Sequence, residues 1–160
     1  MLVQERYREF DPAEVRAVAM ELKGLEGPLL PILHALVDRF GHVDRRAVPI
    51  VAEVLNLSRA DVHGVVTFYH DFRQEPAGRH VIKLCQAEAC QSMGSDRVLA
   101  ALETALGIRM GETSPDGRVT LEPVYCLGLC ASAPSAMLDG ELHARLDPVN
   151  VLALAQEVAA

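Results

Sequence analysis

Long apolar runs are missing from this 160-residue chain. A bilayer-spanning helix needs about 20 consecutive apolar residues. The richest stretch, Gly27 to Ala35, is short and carries Pro28, Pro31 and His34, so direct membrane insertion is not expected. The opening residues, Met1 to Phe10, mix Glu5 and Glu9 with Arg6 and Arg8 and offer no apolar segment of signal-peptide length, which points to a cytoplasmic protein. Positive charge is in deficit. Fifteen Lys and Arg face 22 Asp and Glu, a formal charge of -7 with pI near 5.3, so neither nucleic acid nor an anionic membrane is drawn to the chain. A protein or small-molecule partner is what the charge leaves open. Familiar motifs are lacking too. No Gly-x-Gly-x-x-Gly fingerprint offers the chain its own dinucleotide site, and no Cys-x-x-Cys pair supports disulfide exchange. The six histidines (His34, His42, His63, His70, His80 and His143) are scattered without metal-ligand spacing, and there is no internal repeat or low-complexity tract.

What is present is enough apolar residue, half the chain, to bury a core. The first half reads as helices with their own start and stop signals. Asp11-Pro12 supplies an N-cap and a proline at the first helical position, followed by Val15, Val18, Ala19 and Leu22 at helical spacing up to Gly24. A second helix is predicted from Pro28 to Phe40, stopped at Gly41, with Leu30, Leu33, Leu36, Val37 and Phe40 as its stripe. A third runs from Asp44 to Leu57. Ser58 caps a fourth, with Asp61 as a weaker analogue of the capping box, through Val62, Val65, Val66 and Phe68 to about His70.

From Gly78 the pattern changes. His80 to Cys85 is a short strand, Asp96 to Leu106 an amphipathic helix closed by Gly107, and Val119 to Tyr125 a second strand. Strand, helix, strand at this length implies a right-handed crossover and two parallel strands whose carboxyl ends point the same way. Ser135 to Leu138 and Glu141 to Arg145 form a hairpin about Asp139-Gly140, and Asp147-Pro148 opens a last helix. The expected fold is α/β (α+β): a helical bundle over residues 1–77, then a βαβ-ββα domain over 78–160, an order that is thioredoxin-like and also fits other small α/β folds. Charge divides as -2 up to Arg79 (10 basic, 12 acidic) and -5 beyond it (5 basic, 10 acidic).

All four cysteines lie in this second half. Cys85 and Cys90 enclose four residues, Cys126 and Cys130 enclose three, and each pair follows an apolar strand, where ligands collect in open α/β sheets. A cytoplasmic chain keeps thiols reduced, so four thiolates read as a metal centre. A 2Fe-2S cluster is the preferred occupant. Structural zinc, which also tolerates these spacings, would make the chain a scaffold for partner binding. Thiols without metal would make it a redox-responsive regulator. Gly128 is placed to let backbone N–H groups approach the sulfurs. Glu88, inside the first loop, either adds negative field that lowers a cluster's potential or is simply solvated. Pro134 borders the site, with an ordinary trans bond as the expectation and a cis bond as the alternative.

The pattern Cys-x4-Cys, 35 residues, Cys-x3-Cys, with Cys126-Leu-Gly-Leu-Cys-Ala-Ser-Ala-Pro134 at the second pair, resembles the thioredoxin-like 2Fe-2S subunits. That family comprises the 24 kDa subunit of respiratory complex I and the small subunits of NAD-reducing hydrogenases and of NAD-dependent, molybdenum-containing formate dehydrogenases. Leu57 to Tyr69, ending Gly-Val-Val-Thr-Phe-Tyr, is similar to the family's helical segment, although core packing also accounts for most of it. The resemblance implies that Cys85, Cys90, Cys126 and Cys130 bind one 2Fe-2S cluster. It also implies an electron-transfer subunit without catalytic residues, docked on a flavin- and NAD-binding subunit like the 51 kDa subunit of complex I, which holds FMN and NAD. Complex I members often carry Thr or Pro in the first loop. The run Cys85-Gln-Ala-Glu-Ala-Cys-Gln-Ser-Met-Gly94 looks more like the formate dehydrogenase gamma subunit.

Overall fold

The computed structural model describes residues 8–158; the opening residues 1–7, read above for export signals, lie outside the described part. The chain divides between Pro76 and Ala77 into two compact units. The first is helical: α1 (Pro12–Leu22), α2 (Leu29–Phe40), α3 (Ala47–Leu55) and α4 (Arg59–Phe68). Their ends are fixed by local chemistry. The Asp11 carboxylate accepts the Ala13 N–H at 2.9 Å to start α1. Gly41 at φ +77 donates its N–H to the Val37 carbonyl at 2.7 Å to close α2, a left-handed turn that suits glycine. Ser58 and Asp61 form a complete capping box rather than a weak analogue: the Ser58 hydroxyl accepts the Asp61 N–H at 3.0 Å, and the Asp61 carboxylate accepts the Ser58 N–H at 3.1 Å.

Val15, Ile32, Leu33, Leu36, Val51 and Val62 are fully buried at the centre of this unit. Leu30 and Val37, expected in the α2 stripe, pack at its margin, and Ile32 takes the central place. A larger departure concerns Phe68. At the last turn of α4 it is 73% exposed, stacked edge-on against Tyr69, so Val62 and Val66 alone carry the buried stripe of that helix.

The second unit holds a four-stranded sheet in the order β2-β1-β3-β4, with β1 (His80–Cys85), β2 (Val119–Val124), β3 (Ser135–Leu138) and β4 (Glu141–Ala144). Strands β1 and β2 are parallel, with Cys85 opposite Val124; β3 runs antiparallel to both β1 and β4. Between β1 and β2 come a short helix α5 (Glu88–Ser92) and the crossover helix α6 (Ser95–Leu106); α7 (Leu152–Glu157) follows β4. The Asp139-Gly140 turn has φ of +50 and +96, the positive pair that a two-residue hairpin requires. Ile82, Leu84, Leu121, Ala136 and Leu138 share one face of the sheet by strand alternation and form a second core with Val98, Leu102, Val151 and Leu154. Among the described residues no helix is long and apolar enough to cross a membrane.

Candidate metal centre

Parallel pairing places the carboxyl ends of β1 and β2 side by side, and the four cysteines gather there. Cys85 is the last residue of β1, Cys90 lies in α5, Cys126 sits two residues beyond β2, and Cys130 opens a single 3₁₀ turn, Cys130–Ser132. Cys85 and Cys90 are buried, whereas Cys126 and Cys130 are exposed. The sulfurs of Cys126 and Cys130 stand 3.7 Å apart. A disulfide closes to about 2.05 Å. Two ligands on a tetrahedral metal with metal–sulfur bonds of about 2.3 Å have sulfurs about 3.8 Å apart. The observed spacing is too long for a disulfide and compatible with two ligands on one metal.

Hydrogen bonds tie the two pairs into one site. Burial pushes the Cys85 thiol up, but the Ala87 N–H, the Cys90 thiol and the N–H groups of Cys126 and Leu127 all donate to its sulfur and bring it below the usual thiol range. The second cysteine loop therefore stabilises charge on the first pair. Cys90 moves the other way, raised by burial and by sharing its proton with Cys85, against opposing hydrogen bonds from the Ser135 hydroxyl and N–H. Cys130 is likewise raised, chiefly by donating to Cys126 and by repulsion from it. In the first pair Cys85 thus yields its proton more readily than Cys90. A bound cation relieves that conflict by replacing the shared proton. Among the described residues no three His, Cys, Asp or Glu side chains converge on one ion position.

The loop backbone fits this arrangement. Gly128 adopts φ +78 and its N–H reaches the Cys126 sulfur at 3.4 Å, as the sequence suggested. Cys126 itself sits at φ +83, a conformation that costs a non-glycine residue roughly 1–3 kcal/mol and is found at functional sites. Glu88 is exposed at the start of α5. The Ala133–Pro134 bond is cis, where trans was the expectation. Ser135 was not identified from the sequence. Its buried hydroxyl lies 3.6 Å from the Cys90 sulfur, and the signal was indirect: register pairs Leu84 with Ala136, so the next position along brings Ser135 beside Cys85.

Four thiols in two pairs at the ends of parallel strands, in a chain of this fold, lead to the comparison with known proteins. The thioredoxin-like [2Fe-2S] ferredoxin family matches residues 13–159. This chain belongs to that family. Within it, an NADH-quinone oxidoreductase subunit from Pseudomonas aeruginosa is 35% identical over 156 residues, covering 96% of this chain and 94% of that protein. The protein of the same name from Escherichia coli strain K12 is 39% identical over 143 residues, covering 88% and 86%. Among solved structures, an NAD+-reducing [NiFe]-hydrogenase in the air-oxidised state superposes with a TM-score of 0.67 at 26% identity, covering 82% of this ferredoxin-family chain. The match spans only 22% of that hydrogenase chain.

Proposed function

We propose that the chain is an electron-transfer subunit that holds one 2Fe-2S cluster on Cys85, Cys90, Cys126 and Cys130, one iron to each pair. The observation that carries this reading is the gathering of all four thiols, in two pairs, at the carboxyl ends of β1 and β2, with 3.7 Å between the Cys126 and Cys130 sulfurs. When bound, such a cluster supplies one-electron transfer, passing between formal charges of -2 and -3 with four thiolate ligands. The protein's part is to hold that charge. The N–H groups of Ala87, Cys126, Leu127 and Gly128 point at sulfur, the Cys85/Cys90 side is kept from water, and the Cys126/Cys130 side faces the surface, open to a redox partner.

The partner is a flavin- and NAD-binding subunit resembling the 51 kDa subunit of complex I, carrying FMN and NAD, so the flavin handles hydride while this chain handles single electrons. Residues 1–77 serve as a helical domain and 78–160 as the cluster-binding domain of a cytoplasmic complex. The first-loop residues Gln86 to Gly94 support the gamma subunit of a soluble NAD-dependent formate dehydrogenase as the parent assembly. A second reading, a subunit of an NADH-quinone oxidoreductase, is favoured by the names of the relatives from P. aeruginosa and E. coli, and the structural likeness adds an NAD-reducing hydrogenase.

Anaerobic purification of the full chain tests the cluster. About two irons and two acid-labile sulfides per chain, with an S = 1/2 EPR signal only after reduction, are expected; a colourless protein with one zinc overturns it. Cys126→Ser should abolish or strongly deplete the cluster. The complex purified from its own cells separates the parents: NAD reduction by formate supports the first, NADH-driven quinone reduction the second.

A further inference from the structure

One side-chain hydroxyl reaches the cysteine site from the sheet. Ser135, the first residue of β3, is 1% exposed, and its Oγ lies 3.6 Å from the Cys90 sulfur, within hydrogen-bonding range for sulfur. The Ser135 N–H is directed at the same sulfur. In the metal-free chain either Ser135 or Cys90 can be the donor. Once Cys90 is a metal ligand its sulfur carries no proton, so the hydrogen bond has one direction only: Ser135 donates.

That direction has a redox consequence. A donor aimed at a ligand sulfur stabilises negative charge, and it does so more strongly for a cluster at -3 than at -2. Burial of both partners in a medium of low dielectric enlarges the difference. The other N–H groups at the site belong to the loop backbone and come with its conformation. The Ser135 hydroxyl is instead a side-chain choice at a strand position, free to change without altering the four ligands.

We infer that Ser135 is a positioning residue that raises the reduction potential of the centre through its hydroxyl hydrogen bond to Cys90. This rests on the ligand set proposed above. The electron enters without a proton leaving Ser135, because the hydroxyl remains the donor in both oxidation states.

The test is an EPR-monitored redox titration of the full chain, purified anaerobically, as wild type, Ser135→Ala, Ser135→Thr and Ser135→Val. Thr and Val have nearly the same shape and differ in the hydroxyl. At the wild-type midpoint, the reduced-to-oxidised ratio should fall about three- to tenfold in Ala and Val, a tenfold fall being 59 mV for a one-electron couple. Thr should stay near the wild-type ratio. If Ser135→Ala holds no iron, the Thr and Val pair carries the comparison, and equal ratios in those two overturn the inference. So does an unshifted Ser135→Ala. A wild-type chain lacking two irons and two sulfides defeats the ligand assignment itself and this inference with it, whereas a loaded wild type with unshifted variants defeats this inference alone.

Discussion

Gly78 stands against β2 with no room for a side chain. A Cβ there would lie 2.8 Å from both the carbonyl carbon and the amide nitrogen of Val119, and 3.0 Å from the carbonyl carbon of Arg118. Carbon atoms pack favourably at about 3.5–4.0 Å, so relief of the 2.8 Å contact requires one strand to move by roughly 0.7–1.2 Å. Neither is free to do so. The Gly78 N–H is buried on the Thr120 hydroxyl at 2.7 Å, Arg79 N–H bonds the Gly117 carbonyl at 2.9 Å, and His80 N–H bonds the Arg118 carbonyl at 2.7 Å. Gly78 is not in the left-handed region, so the penalty is purely steric. Gly78→Ala is expected to cost about 2 kcal/mol, within the usual overpacking range of roughly 1–3 kcal/mol. For a unit of this size that is a fall of about 8–16 °C in melting temperature. The assay is a thermal melt of the full chain followed by circular dichroism, with visible absorption reporting the second unit. Gly107→Ala is the control: φ is +68 with nothing within 4 Å, so its cost is conformational, about 1–2 kcal/mol. A Gly78→Ala protein melting within about 2 °C of wild type, well inside the fall that the overpacking range implies, would refute the steric reasoning.

Ser58→Ala, which dismantles the capping box of α4, should destabilise the helical unit by about 1 kcal/mol in urea titrations. Phe68→Ala should change stability by no more than about 0.5 kcal/mol, as for an exposed residue, while Leu36→Ala in the buried core costs about 2–5 kcal/mol in the same titration. Asp116 is held down to about 2 by the Ser114 hydroxyl first and then by Arg118, which NMR titration of its carboxyl carbon should reproduce. Because its folded value is depressed, its contribution is present above the ordinary carboxylate range and is lost as pH falls from about 4 towards 2. Ser114→Ala should move the titration back up; an unchanged midpoint would discount that hydrogen bond.

Where a fold decision is local, the sequence carried it. Asp11-Pro12, Gly41, Ser58 with Asp61, Gly107 and Asp139-Gly140 all act where their chemistry suggests. Helix extents were less legible where polar side chains compete with the backbone. Asp44, expected to open α3, instead accepts the Arg46 N–H and guanidinium in a turn, so the helix starts at Ala47, and it ends on Asn56 at φ +54, short of Leu57. Asp147 does the same before α7, accepting the N–H groups of Val149 and Asn150 and delaying the helix to Leu152. Helix α5, five residues long, is too short to show a period. At the site, the cysteines were conspicuous by number and spacing. Ser135 was not, because its nearness to Cys90 follows from strand register, which is a tertiary property.

The crossover between β1 and β2 also bears on how the protein is made. Its first cysteine pair leaves the ribosome well before the second: Cys85 and Cys126 are 41 residues apart, and the parallel pairing of β1 with β2 brings them together. A nascent chain therefore offers two thiols at a time, enough to capture an iron but not to retain a binuclear centre on the proposed ligands. Once the crossover folds, a cluster on those proposed ligands would act as a cross-link on a 41-residue loop, worth about 4 kcal/mol by the chain-entropy relation for disulfides. On that ligand set, folding and cofactor retention in this unit would form one linked equilibrium: stripping the metal would loosen the sheet, and loosening the sheet would release the metal.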